Sequence, residues 1–166
     1  MTKIQLKPYL SDKATQVLTT ALGFEYQAYH LYRCLFAYFL QNGMKVAAQW
    51  AANEAEGEHV HAQKIEDFAA NLGVYLPYKS LPLEMPTDFG KAIEIFQEAE
   101  SSLLDFYEAE YGNALEGQDF LLSEFLSDFV EIQTEAVQEV NKIVRLLDGV
   151  ELTKINILQI ENQIFG

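Results

Sequence analysis

The chain has 166 residues, of which 49% are hydrophobic and 22% are charged. This composition excludes an intrinsically disordered chain and predicts one domain, residues 1–166, with a sizeable core. A formal charge of −14 argues against a nucleic-acid-binding surface, which requires clustered lysine and arginine. The single cysteine, Cys34, cannot form an intrachain disulfide bond.

The sequence offers no signal for membrane insertion or export. No stretch approaches the roughly 20 consecutive apolar residues of a membrane span. The segment Met1–Leu10 contains lysines but lacks the continuous apolar run of a signal peptide. We therefore expect a cytoplasmic protein with no membrane partner. The acidity has two interpretations, a self-repelling soluble surface or a negative potential that concentrates cations, and the total charge does not separate them.

Capping residues and helix breakers divide the chain into five helices. The Ser11-Asp12 cap opens the first helix, Asn42-Gly43 ends it, and Thr87 or Asp88 caps the third. The second helix runs from about Met44 to Asn71, the third to about Leu115, the fourth from about Phe120 to Leu147, and the fifth from about Lys154 to Ile164. No strand-like alternation competes with this pattern, so the chain is predicted to be all-α.

The lengths of the connections predict the topology. Short turns at Asn42-Gly43 and Gly117-Gln118 force the helices on either side to run antiparallel. The segment Val74–Phe89 contains three prolines, which exclude regular helix, and it is long enough to span the bundle. The second and third helices would then run parallel. The predicted fold is a four-helix bundle with one long crossover between helices 2 and 3 and a short C-terminal fifth helix.

Polar residues interrupt the apolar stripe of each long helix near its middle. They are Glu25 in the first helix, Glu58 and His61 in the second, Glu100 in the third and Gln133 in the fourth. The glutamates and the glutamine lie about 12 to 14 residues from their helix starts, so they share one height in a bundle. Buried carboxylates without a counter-charge are prohibitively costly. The pattern therefore predicts a metal site in the core, and its ligands suit Fe(II), Mn(II) or Zn(II).

Other interpretations of these polar residues stay open. A buried hydrogen-bonded network without metal would explain the same interruptions. Glu54, one turn before Glu58, is either an accessory ligand or an ion-pair partner. By helix geometry, His30 and His59 point away from the predicted site, toward solvent or another subunit.

These residues together resemble the non-haem ferritin family over essentially the whole chain. The similarity is carried by Glu25 with Tyr32 one heptad later, by Glu58-His59-Val60-His61, by Glu100, and by Phe129-Val130-Glu131-Ile132-Gln133. The resemblance implies one iron site formed by Glu25, Glu58 and His61. It implies a second formed by Glu58, Glu100 and Gln133, so two iron ions bind per subunit. Tyr32 matches the family's tyrosine beside this centre, and by resemblance Tyr32 and Glu58 are the catalytic candidates.

Three departures from related ferritins limit what the resemblance implies. Bacterioferritins have a second Glu-x-x-His motif on the fourth helix, and this chain has Ala136 at its histidine position. Their haem-ligating methionine is replaced by His59, so we expect no haem. At the third iron site of bacterial ferritins this chain offers Gly57, Ile132 and Ala136, with only Glu135 acidic. These residues argue against a third site.

The resemblance implies an enzyme, a ferroxidase that oxidises Fe(II) with O2 or H2O2 and stores Fe(III) as mineral. The storage compartment would be a hollow homo-oligomeric cage of 24 subunits. Two alternatives stay open: a ferritin-like di-metal oxidase that acts on another substrate, and a non-catalytic cage subunit.

Two features of the sequence bear on assembly. The fifth helix contains Ile155, Ile157, Ile160 and Ile164. This is more apolar surface than a free tail should carry, which suggests that the helix packs at a symmetry axis. Glu124 and Asp128, early in the fourth helix, are pore candidates, and ordinary surface charge is the alternative interpretation of each.

Overall fold

A computed structural model describes residues 7–166 and contains five helices. They are α1 (Asp12–Gln41), α2 (Lys45–Asn71), α3 (Phe89–Glu116), α4 (Phe120–Leu147) and α5 (Lys154–Phe165). Within these residues no strand is present, and each helix boundary falls within about two residues of its predicted position. Residues 1–6, part of the segment interpreted as lacking a signal peptide, lie outside the described residues. The extent of the single domain stays a prediction.

Side-chain caps fix the starts of four helices. Ser11, Asp88, Asp119 and Thr153 each accept a hydrogen bond from the backbone N–H three residues later. Each bond satisfies one of the amide groups that a helix N-terminus leaves without an intrahelical partner. Asp88 is therefore the cap of α3, one of the two predicted alternatives. Met44 precedes α2 and provides no side-chain cap.

The crossover between α2 and α3 runs the length of the bundle along α1. Its start packs near the beginning of α1, where Leu76 shares an apolar cluster with Leu18. Its middle is bound to α1 by a hydrogen bond from Gln27 Nε2 to the Pro82 carbonyl oxygen, 2.6 Å long. Its end delivers Phe89 to the far end of α1, where the Phe89 ring centroid lies 6.1 Å from that of Phe39. Because α2 also starts at that end, α2 and α3 run parallel.

A polar layer divides the core of the bundle into two apolar clusters. On α2 the first cluster ends at Ala55 and the second begins at Ala62. On α3 the corresponding gap lies between Phe96 and Leu103, and the gap on α4 follows Phe129. The predicted stripe interruptions of these helices all fall within the gaps. On these three helices the interruptions therefore lie at one level of the bundle, between the two clusters.

The fifth helix packs against the end of its own bundle. Ile157 is fully buried, and Ile164 and Phe165 are nearly so, in the cluster that contains Phe39 and Trp50. Glu161 Oε2 accepts a hydrogen bond of 3.0 Å from the Val46 amide, at the start of α2. Three of the four isoleucines that suggested a symmetry-axis contact, Ile157, Ile160 and Ile164, therefore pack within the chain. Ile155, 69% exposed, remains available for a partner.

Among the described residues no helix is both long enough and apolar enough to cross a membrane.

Candidate metal centre

The structure brings the predicted site residues together in one layer. Glu25, Glu58, Glu100 and Gln133 are all buried, with exposed fractions of 5% or less. The side chain of His61 is partly exposed, at 23%. Four glutamate and glutamine side chains at leucine positions of a bundle core are costly to bury unless each polar atom finds a partner or a cation.

One half of the layer is an open cluster of ligand atoms. Glu25, Glu58 and His61 each offer one atom, and these atoms lie within 4.8 Å of one another. His61 Nδ1 lies 3.1 Å from Glu58 Oε2 and 3.5 Å from Glu25 Oε2. Among the described residues, Glu25 Oε2 is the one buried side-chain oxygen or nitrogen without a hydrogen-bond partner. A cation bound between these atoms would satisfy it.

Hydrogen bonds close the other half of the layer. The Tyr32 hydroxyl donates to Glu100 Oε1, and Gln133 Nε2 donates to Glu100 Oε2. Gln133 Nε2 also lies 3.2 Å from the Glu100 carbonyl oxygen. Both carboxylate oxygens of Glu100 are therefore occupied, in contrast with the free oxygen of Glu25.

Tyr107 is a member of the layer that was not singled out from the sequence. It is fully buried, and its hydroxyl donates to Glu25 Oε1. In the sequence, the spacing of Tyr107 indicates only that it belongs to the apolar stripe of α3. A signal was present, because Tyr107 follows Glu100 by the same seven residues that separate Tyr32 from Glu25.

Burial governs the protonation of the layer. Burial raises the pKa of Glu58 well above its ordinary value, and His61 partly offsets the effect by hydrogen bonding. Burial also raises the pKa of Glu100, against the hydrogen bonds from Tyr32 and Gln133. The pKa values of the Tyr32 and Tyr107 phenols lie well above 10, chiefly because of burial, so both remain donors.

His61 carries a proton that a metal ion must displace. Burial lowers the pKa of His61, but the neighbouring carboxylates of Glu25 and Glu58 outweigh burial and raise the pKa to about 10. The two carboxyl groups therefore favour the protonated form of the imidazole. Only neutral imidazole binds a metal, so metal binding at this cluster releases a proton.

The remaining candidates lie around the layer. Glu54 is partly buried, and burial, followed by Glu139 and Glu100, raises its pKa to about 7. His30 is exposed, as predicted. His59 is half-buried, with its ring 5.5 Å from that of Tyr29 between centroids.

The pore candidates on α4 both lie on the surface. Glu124 and Asp128 are exposed, and Asp128 Oδ2 lies 3.1 Å from Lys64 Nζ. An exposed ion pair of this kind contributes little to stability.

A single-crossover four-helix bundle with a carboxylate- and imidazole-bearing layer in its core has the architecture of the ferritin-like metalloproteins. The model of the ferritin family, described as a ferritin-like domain, matches residues 15–150. The chain therefore belongs to the ferritin family, which confirms the resemblance seen in the sequence.

Sequence relatives of known identity are ferritins. A chloroplastic ferritin from Phaseolus vulgaris is 26% identical over 151 residues, a match that covers 85% of this chain and 59% of the plant protein. The chain thus spans less than two thirds of that relative's length. A bacterial non-heme ferritin from Staphylococcus haemolyticus is 26% identical over 129 residues, with 76% of this chain and 77% of the relative covered.

Solved structures confirm the fold. An open pore ferritin from the hyperthermophilic archaeon Archaeoglobus fulgidus is similar with a TM-score of 0.83 and 23% identity, over 93% of this chain and 97% of that one. A ferritin from M. penetrans has a TM-score of 0.84 and 16% identity, with the same coverage. At these identities the similarity shows the ferritin-like bundle and nothing further about activity.

Proposed function

We propose that this protein is an iron-storage ferritin whose polar layer is a ferroxidase centre. The observation that carries the proposal is the cluster of Glu25, Glu58 and His61, whose ligand atoms lie within 4.8 Å of one another beside an unsatisfied buried oxygen. Membership of the ferritin family supports iron as the metal. Fe(II) is the substrate of this centre, and its oxidised form is the stored product.

The resemblance to ferritins supports two iron sites per subunit, of which the cluster of Glu25, Glu58 and His61 corresponds to the first. Glu25, Glu58 and His61 form the first site, and Glu58, Glu100 and Gln133 form the second. Glu58 contributes to both, so the two ions are held close together, at the spacing of about 3.5 to 4 Å that is typical of two-metal sites. Tyr32, hydrogen-bonded to Glu100, lies beside the second site.

The reaction balances with two Fe(II) ions per cycle. Each ion loses one electron, and the two electrons with two protons reduce O2 to H2O2, or reduce H2O2 to two waters. The protein positions the two ions and provides the carboxylates that stabilise the higher charge of Fe(III). His61 releases its proton when iron binds, since its pKa is about 10 in the metal-free protein.

The hydrogen bonds of the metal-free layer support an order of binding for the two iron ions. At the first site Glu25 Oε2 accepts no hydrogen bond, so an ion that binds there displaces only the proton of the neighbouring His61. The second site requires Glu100 to give up a hydrogen bond from Gln133 or Tyr32. Iron therefore enters the first site before the second.

Storage requires a cage, which we propose to be a cytoplasmic homo-oligomer of 24 subunits. Apolar groups are exposed on the crossover, including Tyr75, Tyr78 and Met85. Several large apolar side chains exposed on one segment favour an interaction surface, which a second copy of the chain would cover. Membership of the ferritin family supports an assembly of this kind.

Aerobic loading with Fe(II) tests the proposed function. Purified metal-free protein receives increasing Fe(II), and the absorbance of Fe(III), the iron retained per subunit and the native mass are measured. We expect rapid oxidation, many iron ions retained per subunit and the mass of a large cage. Oxidation no faster than in buffer alone would disprove the ferroxidase role, and a stable monomer or dimer would disprove storage.

The cavity beside α1 does not favour an oxidase for an organic substrate. A cavity of about 280 Å³ lies between α1, the crossover and α3, and its lining includes Phe24, Leu31 and Leu83. None of the five proposed ligands lines it. A substrate bound there would therefore not reach the proposed iron sites directly.

A further inference from the structure

Two reciprocal glutamate–tyrosine hydrogen bonds connect α1 and α3. Tyr32 of α1 donates its hydroxyl hydrogen to Glu100 of α3, and Tyr107 of α3 donates its own to Glu25 of α1. On each helix the tyrosine follows the glutamate by seven residues. Residues seven apart lie on one face of a helix, so each helix presents the same glutamate and tyrosine pair to the other.

The two pairs differ in the partner of the second oxygen of each carboxylate. Gln133 occupies the second oxygen of Glu100. The second oxygen of Glu25 has no hydrogen-bond partner and lies 3.5 Å from His61 Nδ1. The hydroxyl of Tyr107 thus occupies one oxygen of Glu25, and the other oxygen accepts no hydrogen bond.

The ring of Tyr107 is held firmly in place. Tyr107 is fully buried, and its ring centroid lies 4.9 Å from that of Phe129 and 5.3 Å from that of Phe106. Phe129 in turn lies 6.1 Å from the His61 ring. Packing on several sides leaves the phenol little freedom to move away from Glu25.

We propose that Tyr107 is a positioning residue of the first metal site. Its hydroxyl holds Glu25 Oε1, so that Oε2 alone faces Glu58 and His61 and Glu25 binds a divalent cation through one oxygen. This inference rests on the proposed function, because it concerns the same site. Partners of metal ligands commonly fix ligand orientation, and their removal costs about 10- to 100-fold in metal affinity.

The experiment uses Co(II), which is stable in air in such sites and whose visible spectrum reports ligand geometry. Metal-free wild-type protein and Tyr107→Phe are titrated with Co(II), and the affinity of the first bound ion and its spectrum are recorded. The phenylalanine keeps the ring that packs on Phe129 and removes only the hydroxyl. We expect the first Co(II) to bind about ten-fold or more weakly, with an altered spectrum.

The matched control is Tyr111→Phe, one turn further along α3 on the margin of the same apolar cluster. It removes the same chemical group from the same helix, and we expect unchanged Co(II) affinity and spectrum. Thermal unfolding of all variants shows whether each is folded. A loss of Co(II) affinity equal in Tyr111→Phe and Tyr107→Phe would overturn the proposal, because it would indicate a general loss of packing.

A double-mutant cycle shows whether Tyr107 acts through Glu25. Glu25→Ala and the double variant Glu25→Ala/Tyr107→Phe are compared by the same titration. We expect them to bind Co(II) with equal affinity, because the hydroxyl has no carboxylate left to position. A further loss in the double variant would overturn the proposed route through Glu25.

The outcomes separate this inference from the proposed function. Suppose that wild-type protein binds Co(II) and that Tyr107→Phe has the same affinity and spectrum. The positioning role of Tyr107 is then wrong, but the proposed metal site is still supported. If wild-type protein binds no Co(II), the metal site itself is wrong, and both proposals fall.

Discussion

Glu25 and Glu100 are both fully buried carboxylates, but they have different hydrogen-bond partners. Both accept a hydrogen bond from a tyrosine of the opposite helix, but only Glu100 also accepts one from Gln133. Glu58 lies between them, and its pKa is raised chiefly by burial. The two proposed iron sites therefore differ in how many carboxylate oxygens lack a hydrogen bond. Residue type alone does not reveal this difference.

Glu58 should matter more for iron oxidation than Gln133. Glu58 is proposed to touch both iron ions, whereas Gln133 is a neutral amide that contacts only the second. We expect Glu58→Ala to lower the rate of Fe(II) oxidation by about 100-fold or more and Gln133→Ala by about ten-fold. Stopped-flow absorbance of Fe(III) formation measures both rates. Equal and mild effects would indicate oxidation at the mineral surface instead of at this centre.

Glu54 makes the stability of the metal-free protein depend on pH. In the unfolded chain Glu54 ionises around its ordinary 4.5, while burial and nearby carboxylates raise its folded-state pKa to about 7. The folded protein therefore binds an extra proton between these pH values. Its contribution to the free energy of unfolding falls as pH rises through this window and stays unfavourable above pH 7.

Removing the charge of Glu54 should stabilise the protein at high pH. Because the position is partly exposed, we expect Glu54→Gln to raise the melting temperature at pH 8 by only about 2–4 °C, and by less at pH 5. Thermal unfolding of metal-free protein at both pH values measures the difference. Glu56→Gln, on the exposed face of α2, is the matched control. A pH-independent gain for Glu54→Gln would contradict the explanation.

At the scale of helices, α5 completes a helix that lacks its own cap. Met44 gives α2 no side-chain cap, and Glu161 of α5 accepts hydrogen bonds from the Val46 and Ala47 amides at 3.0 and 3.4 Å. A carboxylate at a helix N-terminus is also favoured by the helix dipole. The same bond therefore caps α2 and fastens α5 to the bundle.

Loss of this cap should loosen α5 and destabilise the bundle. We expect Glu161→Ala to cost about 1 kcal/mol, the usual effect of removing an N-cap, and to lower the melting temperature by about 2–4 °C. Hydrogen exchange should quicken at the first amides of α2 and in α5. The control is Gln163→Ala, an exposed position on the same helix. Unchanged exchange in Glu161→Ala would show that apolar packing alone holds α5.

The helices and the polar layer were predictable from the sequence because they follow from caps, breakers and apolar periodicity. The contacts between helices were not. Periodicity gives the inward face of a helix but not its rotation to within one side chain, so the Tyr107–Glu25 bond was missed. The cap by Glu161 joins residues 115 positions apart, and nothing local in the sequence pairs them. The apolar face of α5 was recognised, but its main partner proved to be its own bundle.

At the scale of the whole molecule, net charge and exposed apolar surface have opposite effects on assembly. A net charge of −14 repels copies of the chain at long range, so assembly needs apolar contacts that outweigh this repulsion. We propose that the crossover provides them, because Tyr75 is 87% exposed, Met85 56% and Tyr78 50%. We refer to these three residues as the crossover patch.

Charges placed on the crossover patch should block assembly without unfolding the subunit. We expect wild-type protein to sediment as a cage of about 450 kDa, the mass of 24 copies of an 18.9 kDa chain. Tyr75→Asp/Tyr78→Asp buries two more negative charges at the proposed contact, so it should sediment as small species with normal helix content. Tyr75→Phe/Tyr78→Phe keeps both rings and should assemble like wild type. If the aspartate variant still formed the full cage, the crossover patch would not be a subunit contact, and the copies would have to meet through another surface such as the one around Ile155.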